Sequence, residues 1–214
     1  MEISPPSASG VTELIDGLIH NGFKPIEFPG CVTDVDNYIR WHEDNVAVAH
    51  HSACGGFGMA LRLQSFQSPV LEAVDRVLKS DSFNRKISEK FGITFDDCVA
   101  DSGIQKYLDG YEISPHPDTR SKAATFMVNI SPSSRSESLN YHTQYLKLKN
   151  SRRYVQAFGE GNESVDRAWV PWDWAETVKR QNKNNSIVLF SPSNDTLHAV
   201  KASYDHLQTQ RTRL

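Results

Sequence analysis

The sequence has no long apolar run. Nothing in its 214 residues approaches the ~18 consecutive apolar residues of a membrane helix, so no membrane span is expected. It holds only three cysteines, Cys31, Cys54 and Cys98, scattered and odd in number. A disulfide framework is therefore not expected, and a reducing, cytoplasmic setting is. Neither sign of charge dominates: 23 Lys and Arg stand against 26 Asp and Glu, a net charge of −3. There is no Lys/Arg-rich block, so nothing suggests a nucleic-acid groove, which needs a basic face. The opening MEISPPSASG lacks a basic segment followed by an apolar one, and a secretory signal is not expected. What is present is 38% hydrophobic and 23% charged, the balance of a globular protein. The length suits one domain over residues 1–214.

The first 92 residues read as mainly helical. Val11, Leu14, Ile15, Leu18 and Ile19 carry helical spacing over 11–23. KPIEFPG follows as a short strand. Residues 33–45 read as a second helix, capped by Thr33 or Asp34. HHSACGGFG, within 46–58, is glycine-rich and reads as an irregular loop. MALRLQ reads as a strand. Residues 68–92 read as two helical pieces broken near Ser80–Ser82, with Pro69 early in the first.

Beyond residue 93 strands dominate. CVADSGIQKYL, YEISPHP, AATFMVNIS, NYHTQYLKLK, RYVQAFG, SIVLFSP, TLHAVKA and QRTRL all read as strands, and WDWAETVKRQ interrupts them as a helix. Many short strands at close spacing suggest a sandwich or barrel. The expected class is α+β, mainly β: an N-terminal helical layer (1–92) on a β core (93–214).

The chemistry centres on YEISPHPDTR. In a strand, residues i and i+2 share a face, so His116 and Asp118 project together, with Pro117 fixing the backbone between them. Such a pair suits a shared metal ion or a His–Asp hydrogen bond. His198 sits far downstream, where an apolar strand and a turn lead into a second strand. Two histidines and one carboxylate form the facial triad of non-haem iron oxygenases, with three positions open for ligands. Chelation from two distant strands requires a sheet that folds back on itself, as a jelly roll does. Of the other histidines, His20 and His42 fall on predicted helices. His50 and His51 are adjacent in a loop, and His206 is in a polar loop. His142, in NYHTQYLKLK, is a candidate substrate contact. QRTRL places Arg211 and Arg213 on one face of a last strand, and arginine is suited to hold a carboxylate by two hydrogen bonds.

With these residues in place, the chain resembles the iron(II)/2-oxoglutarate-dependent oxygenases, in their prolyl-4-hydroxylase-like branch. KYLDGYEISPHPD, AATFMVNISP, NYHTQYLKL, NSIVLFSPSNDTLHAV and QRTRL carry the resemblance, over residues 100–214. It implies a double-stranded β-helix (jelly roll) core and Fe(II) held by His116, Asp118 and His198. It implies 2-oxoglutarate as cosubstrate, with its far carboxylate on Arg211, and O2 as oxidant. Tyr107 matches a position that lines the cosubstrate pocket. Asn129 stands where many members carry a tyrosine that helps to hold 2-oxoglutarate. The implied reaction hydroxylates a substrate C–H and releases succinate and CO2.

Two other readings share much of this pattern. One is a cupin-like metal-binding protein; the other is a non-catalytic jelly-roll binding module in which His116 and Asp118 are only a hydrogen-bonded pair. The substrate of an oxygenase would be a small molecule or a peptidyl residue. Arg120 and Arg62 are candidates to meet an anionic group on it. SPSSRSES (131–138) is a candidate lid, and Trp169, Trp172 and Trp174 read as packing anchors.

Overall fold

The computed structural model describes residues 8–27, 31–43, 58–131, 134–149, 152–162, 164–165, 169–204 and 211–213. Most of HHSACGGFG, with His50, His51 and Cys54, lies outside them, as does His206.

Spacing and caps mark the N-terminal helices, though the first, expected over 11–23, ends at His20 and Phe23 is strand. Helix α1 (Ala8–His20) buries Val11, Ile15 and Leu18, one stripe at helical spacing. Helix α2 (Val35–Glu43) starts where the Asp34 carboxylate accepts the Asn37 N–H at 3.0 Å. Helix α3 (Pro69–Leu78) is capped by Ser68 and has proline in its first turn. Helix α4 (Asp81–Phe91) is capped by Ser80 and stops at Gly92, whose φ of 66° is the left-handed conformation that ends helices. The break near Ser80–Ser82 is therefore one helix ending and another being capped.

Ten strands are described, and their pairing is antiparallel. The larger sheet runs β1 (Phe23–Pro25), β2 (Ala60–Leu63), β3 (Gln105–Tyr107), β10 (Arg211–Arg213), β5 (Thr125–Ile130), β8 (Ser186–Phe190). The smaller runs β4 (Ile113–His116), β9 (Leu197–Val200), β6 (Gln144–Leu148), β7 (Ala175–Arg180). The class is α+β, with five α-helices among the described residues. Two strands from the first 92 residues, β1 and β2, belong to the larger sheet, so that region contributes sheet as well as helices.

Strand alternation divides the core. On one face of the larger sheet Leu61 and Leu63 pack with Val11, Ile15 and Tyr38 of the helices. On the other, Ala60 and Tyr107 pack with Ile113 and Val200 of the smaller sheet. Tyr38 ties the layers together, its hydroxyl donating to the Asp109 carbonyl at 2.8 Å. The turn after β3 needs its glycine: Gly110 has φ of 73°, and Trp41 occupies the space a Cβ would take.

Three sequence expectations are corrected. RYVQAFG is not a strand but part of helix α5 (Arg152–Gly161). Its Tyr, Val and Phe favour strands locally, yet Tyr154 is 79% exposed, so no sheet face gains from burying it. The helix instead has an internal Gln156–Glu160 hydrogen bond of 2.9 Å and an Asn162 side chain on the Phe158 carbonyl at 2.8 Å. WDWAETVKRQ is not a helix but a short 3₁₀ turn (Trp172–Trp174) followed by β7. As an edge strand β7 tolerates charge on its open side; only Ala175 of its six residues is buried, and Glu176 pairs with Lys147 of β6 at 2.6 Å. CVADSGIQKYL becomes strand only at Gln105; the Ser102 carbonyl upstream accepts from Arg62 at 2.6 Å rather than from a ladder.

Candidate metal centre

His116 closes β4 and His198 lies in β9; the two are directly opposite in register. Pro115 interrupts β4 without loss, because β4 is the edge of its sheet and an edge strand can lack an N–H. Strand β9 is internal, paired to β4 on one side and β6 on the other, so its ladder fixes His198 from both sides. A turn feeds β9, with the Thr196 N–H on the Ser193 carbonyl at 3.1 Å. Asp118 lies just past β4, after Pro117.

These three residues converge. One ligand atom from each of His116, Asp118 and His198 lies within 4.8 Å of the others. All three are buried, at 2%, 6% and 9% relative exposure. The imidazole centroids are 4.4 Å apart, and His198 Nε2 lies 4.0 Å from Asp118 Oδ1.

The surroundings orient each ligand. His116 Nδ1 is 2.8 Å from the Ser114 carbonyl. A carbonyl only accepts, so Nδ1 carries the proton and Nε2 keeps its lone pair. That outer contact is the usual way a metal-binding imidazole is held. The Trp169 ring packs on His116 with centroids 4.8 Å apart, and Phe190 packs on His198 at 5.3 Å. Asp118 receives the Thr125 hydroxyl on Oδ2 at 2.6 Å and the Lys122 ammonium on Oδ1 at 2.9 Å. Burial pushes its pKa up, but His198, Lys122 and the Thr125 hydrogen bond together outweigh burial and hold it below the ordinary carboxylate range. The carboxylate is therefore ionised at neutral pH. The donor set of two imidazoles and one anionic oxygen fits a divalent metal ion.

The triad sits in the wall of a cleft of about 730 Å³, which Tyr107, Arg62, Lys122 and Thr125 also line. Tyr107 packs on Tyr111 at 4.5 Å, and its hydroxyl donates to Gln105. Arg62 reaches the cleft but pairs with Asp101 at 2.6 Å. Arg120 turns elsewhere: it donates to the Gly159 carbonyl at 2.5 Å, at the end of α5. Asn129 is buried in β5 and donates to the Lys183 carbonyl at 3.1 Å. His142 is fully buried with Nε2 2.7 Å from the Ser136 carbonyl. Arg211 enters β10 directly opposite Tyr107. The candidate lid is tied down over 134–138: Glu137 accepts the Asn184 N–H at 2.9 Å.

Sequence reasoning passed over Ser114, Lys122 and Thr125 and gave Trp169 only a packing role. Lys122 had a readable signal, four residues past Asp118 across a turn. Thr125 had none, because its contact depends on how β5 returns past β4. Comparison with protein-family models and with curated proteins gives no match to this chain.

Proposed function

We propose that this chain is a non-haem Fe(II)/2-oxoglutarate-dependent dioxygenase that hydroxylates a C–H of a prolyl, amino-acid or small-metabolite substrate. One observation carries the reading: the buried His116–Asp118–His198 cluster opens on a cleft large enough for a cosubstrate and a substrate. The pairing of β4 with β9, far apart in sequence, suits a double-stranded β-helix core. When bound, the metal and its cosubstrate supply the oxidation: O2 gives one atom to the substrate C–H and one to the succinate formed as 2-oxoglutarate loses CO2.

The chain's own residues have defined tasks in this reading. His116 and His198 present neutral nitrogens, and Asp118 supplies the single negative charge. Thr125 orients that carboxylate through Oδ2. Trp169 and Phe190 pack on the imidazole rings and hold their orientation. Arg211, whose backbone is in register with Tyr107 of the cleft wall, would hold the far carboxylate of 2-oxoglutarate.

The test is anaerobic Fe(II) titration followed by succinate release from 2-oxoglutarate with candidate substrates. Arg211→Ala is expected to raise the apparent constant for 2-oxoglutarate by about tenfold or more, the worth of a charge-assisted hydrogen bond. Iron binding stays intact in that variant, and Arg213→Ala does much less. Absence of iron uptake, or succinate release that survives Asp118→Ala, overturns the proposal.

A further inference from the structure

Lys122 touches the triad through Asp118, and the proposed chemistry leaves it without a task. Its Nζ lies 2.9 Å from Asp118 Oδ1, the oxygen that faces His198 Nε2 at 4.0 Å. Oδ2 is held instead by the neutral Thr125 hydroxyl. The backbone arranges this: the Lys122 N–H donates to the Thr119 carbonyl at 3.1 Å, closing a turn that brings the lysine back over Asp118. The Lys122 side chain is 46% exposed while that of Asp118 is 5% exposed. The lysine therefore reaches in from solvent on a flexible stem, and it can swing away without disturbing the core.

We propose that Lys122 stands in for the metal ion: its ammonium neutralises Asp118 in the metal-free protein, competes with the cation for Oδ1, and withdraws towards solvent when the ion binds. This rests on the reading of the triad as a metal site. A buried carboxylate without a counter-ion is strongly unfavourable, so the metal-free protein needs one. A divalent ion and an ammonium on one oxygen repel each other. Ligands of one ion, at bond lengths of about 2.1 Å, stand roughly 3 Å apart. Here their atoms lie within 4.8 Å of one another, so metal binding draws the ligand atoms closer together. Lys122 then has two opposed effects. It stabilises the metal-free fold, and it lowers the affinity for metal.

The experiment titrates the 214-residue chain with Co2+, following quenching of tryptophan fluorescence, in wild type, Lys122→Met, Lys122→Gln and Lys122→Arg. Thermal unfolding is measured for each with and without Co2+. Lys122→Met and Lys122→Gln are expected to bind Co2+ about fivefold tighter, the factor set by a partly exposed ion pair. Lys122→Arg, which keeps the charge, stays within about twofold of wild type. Without metal the neutral variants unfold at a lower temperature than wild type, and saturating Co2+ abolishes the gap. Added salt, which screens the ammonium, narrows the affinity ratio. Equal or weaker Co2+ binding in both neutral variants, with wild type binding, overturns the role of Lys122 alone. No Co2+ uptake by wild type overturns the metal reading and this inference with it.

Discussion

The two faces of the larger sheet are built from the same strands and do opposite work. Toward the helices, Leu61, Leu63 and Phe126 meet Val11, Ile15 and Tyr38 in an apolar cluster. On the other side, Thr125 donates to Asp118, and Tyr107 lines the cleft. One-residue alternation separates them: Leu61 and Ala60 are neighbours in the chain and belong to different clusters. The lesson is a division of labour. Burial of apolar area holds the sheet in place, and the held sheet allows buried polar groups on its far face to keep fixed partners.

The sharpest way to test that division is to remove a ligand. Asp118→Ala is expected to weaken divalent-metal binding by about a hundredfold or more, since even outer contacts to ligands are worth 10–100-fold. Isothermal titration with Fe(II) or Co2+ measures it; His116→Ala and His198→Ala should match. Retained affinity in all three would erase the distinction between the faces.

A cavity on the helix side should do the reverse. Leu61 is fully buried, and Leu61→Ala is expected to cost about 2–5 kcal/mol of unfolding free energy. Urea denaturation gives that number, and metal affinity of the folded fraction should not move. A variant that loses both together would show that the faces are not separable.

Lys106 is the polar intruder on the helix side. It lies opposite Leu61, with its ammonium 5.7 Å from the Phe23 ring. Burial lowers its pKa to about 8. Below pH 8 the lysine is charged in folded and unfolded chains alike, and the fold carries the full penalty of burying it. Between pH 8 and 10.5 the folded chain releases its proton first, so stability rises with pH across that window. Lys106→Met should therefore stabilise the protein at pH 7, by at most about 3 kcal/mol. The advantage should shrink by pH 10, and urea curves at both values check this.

The smallest effect is expected at the outer edge of the smaller sheet. Lys147→Ala breaks a pair whose side chains are 60% and 48% exposed. It should leave the melting temperature within error, because solvent screens such pairs. A clear drop would mean that the β7 edge contributes more than its exposure implies.

The cues that read correctly were local. Ser68, Ser80 and Gly92 bound their helices in the way capping chemistry requires. The strands carrying His116 and His198 were legible because their apolar runs end at turn-forming residues. The errors came where local propensity had no burial to act on. Tyr154 and Val155 suggest a strand but no partner strand receives them, whereas AETVKR forms a strand because β6 supplies a ladder. Arg62 and Arg120, the candidates to meet an anion, also have partners far away in the chain, Asp101 and the end of α5.

The sequence by itself determined the ligand types, two imidazoles and a carboxylate, and the short spacing that keeps His116 beside Asp118. It also determined the boundaries of α3 and α4, since caps act within a few residues. The tertiary structure decided what lies across from what. The β4–β9 register sets His198 opposite His116. The return of β5 brings Thr125 to Asp118, and Trp169 comes to rest on the His116 ring. The His116–His198 and His116–Trp169 contacts join residues far apart in the chain. Local composition cannot encode them, because they exist only once hydrogen-bonded ladders and apolar burial have chosen one packing.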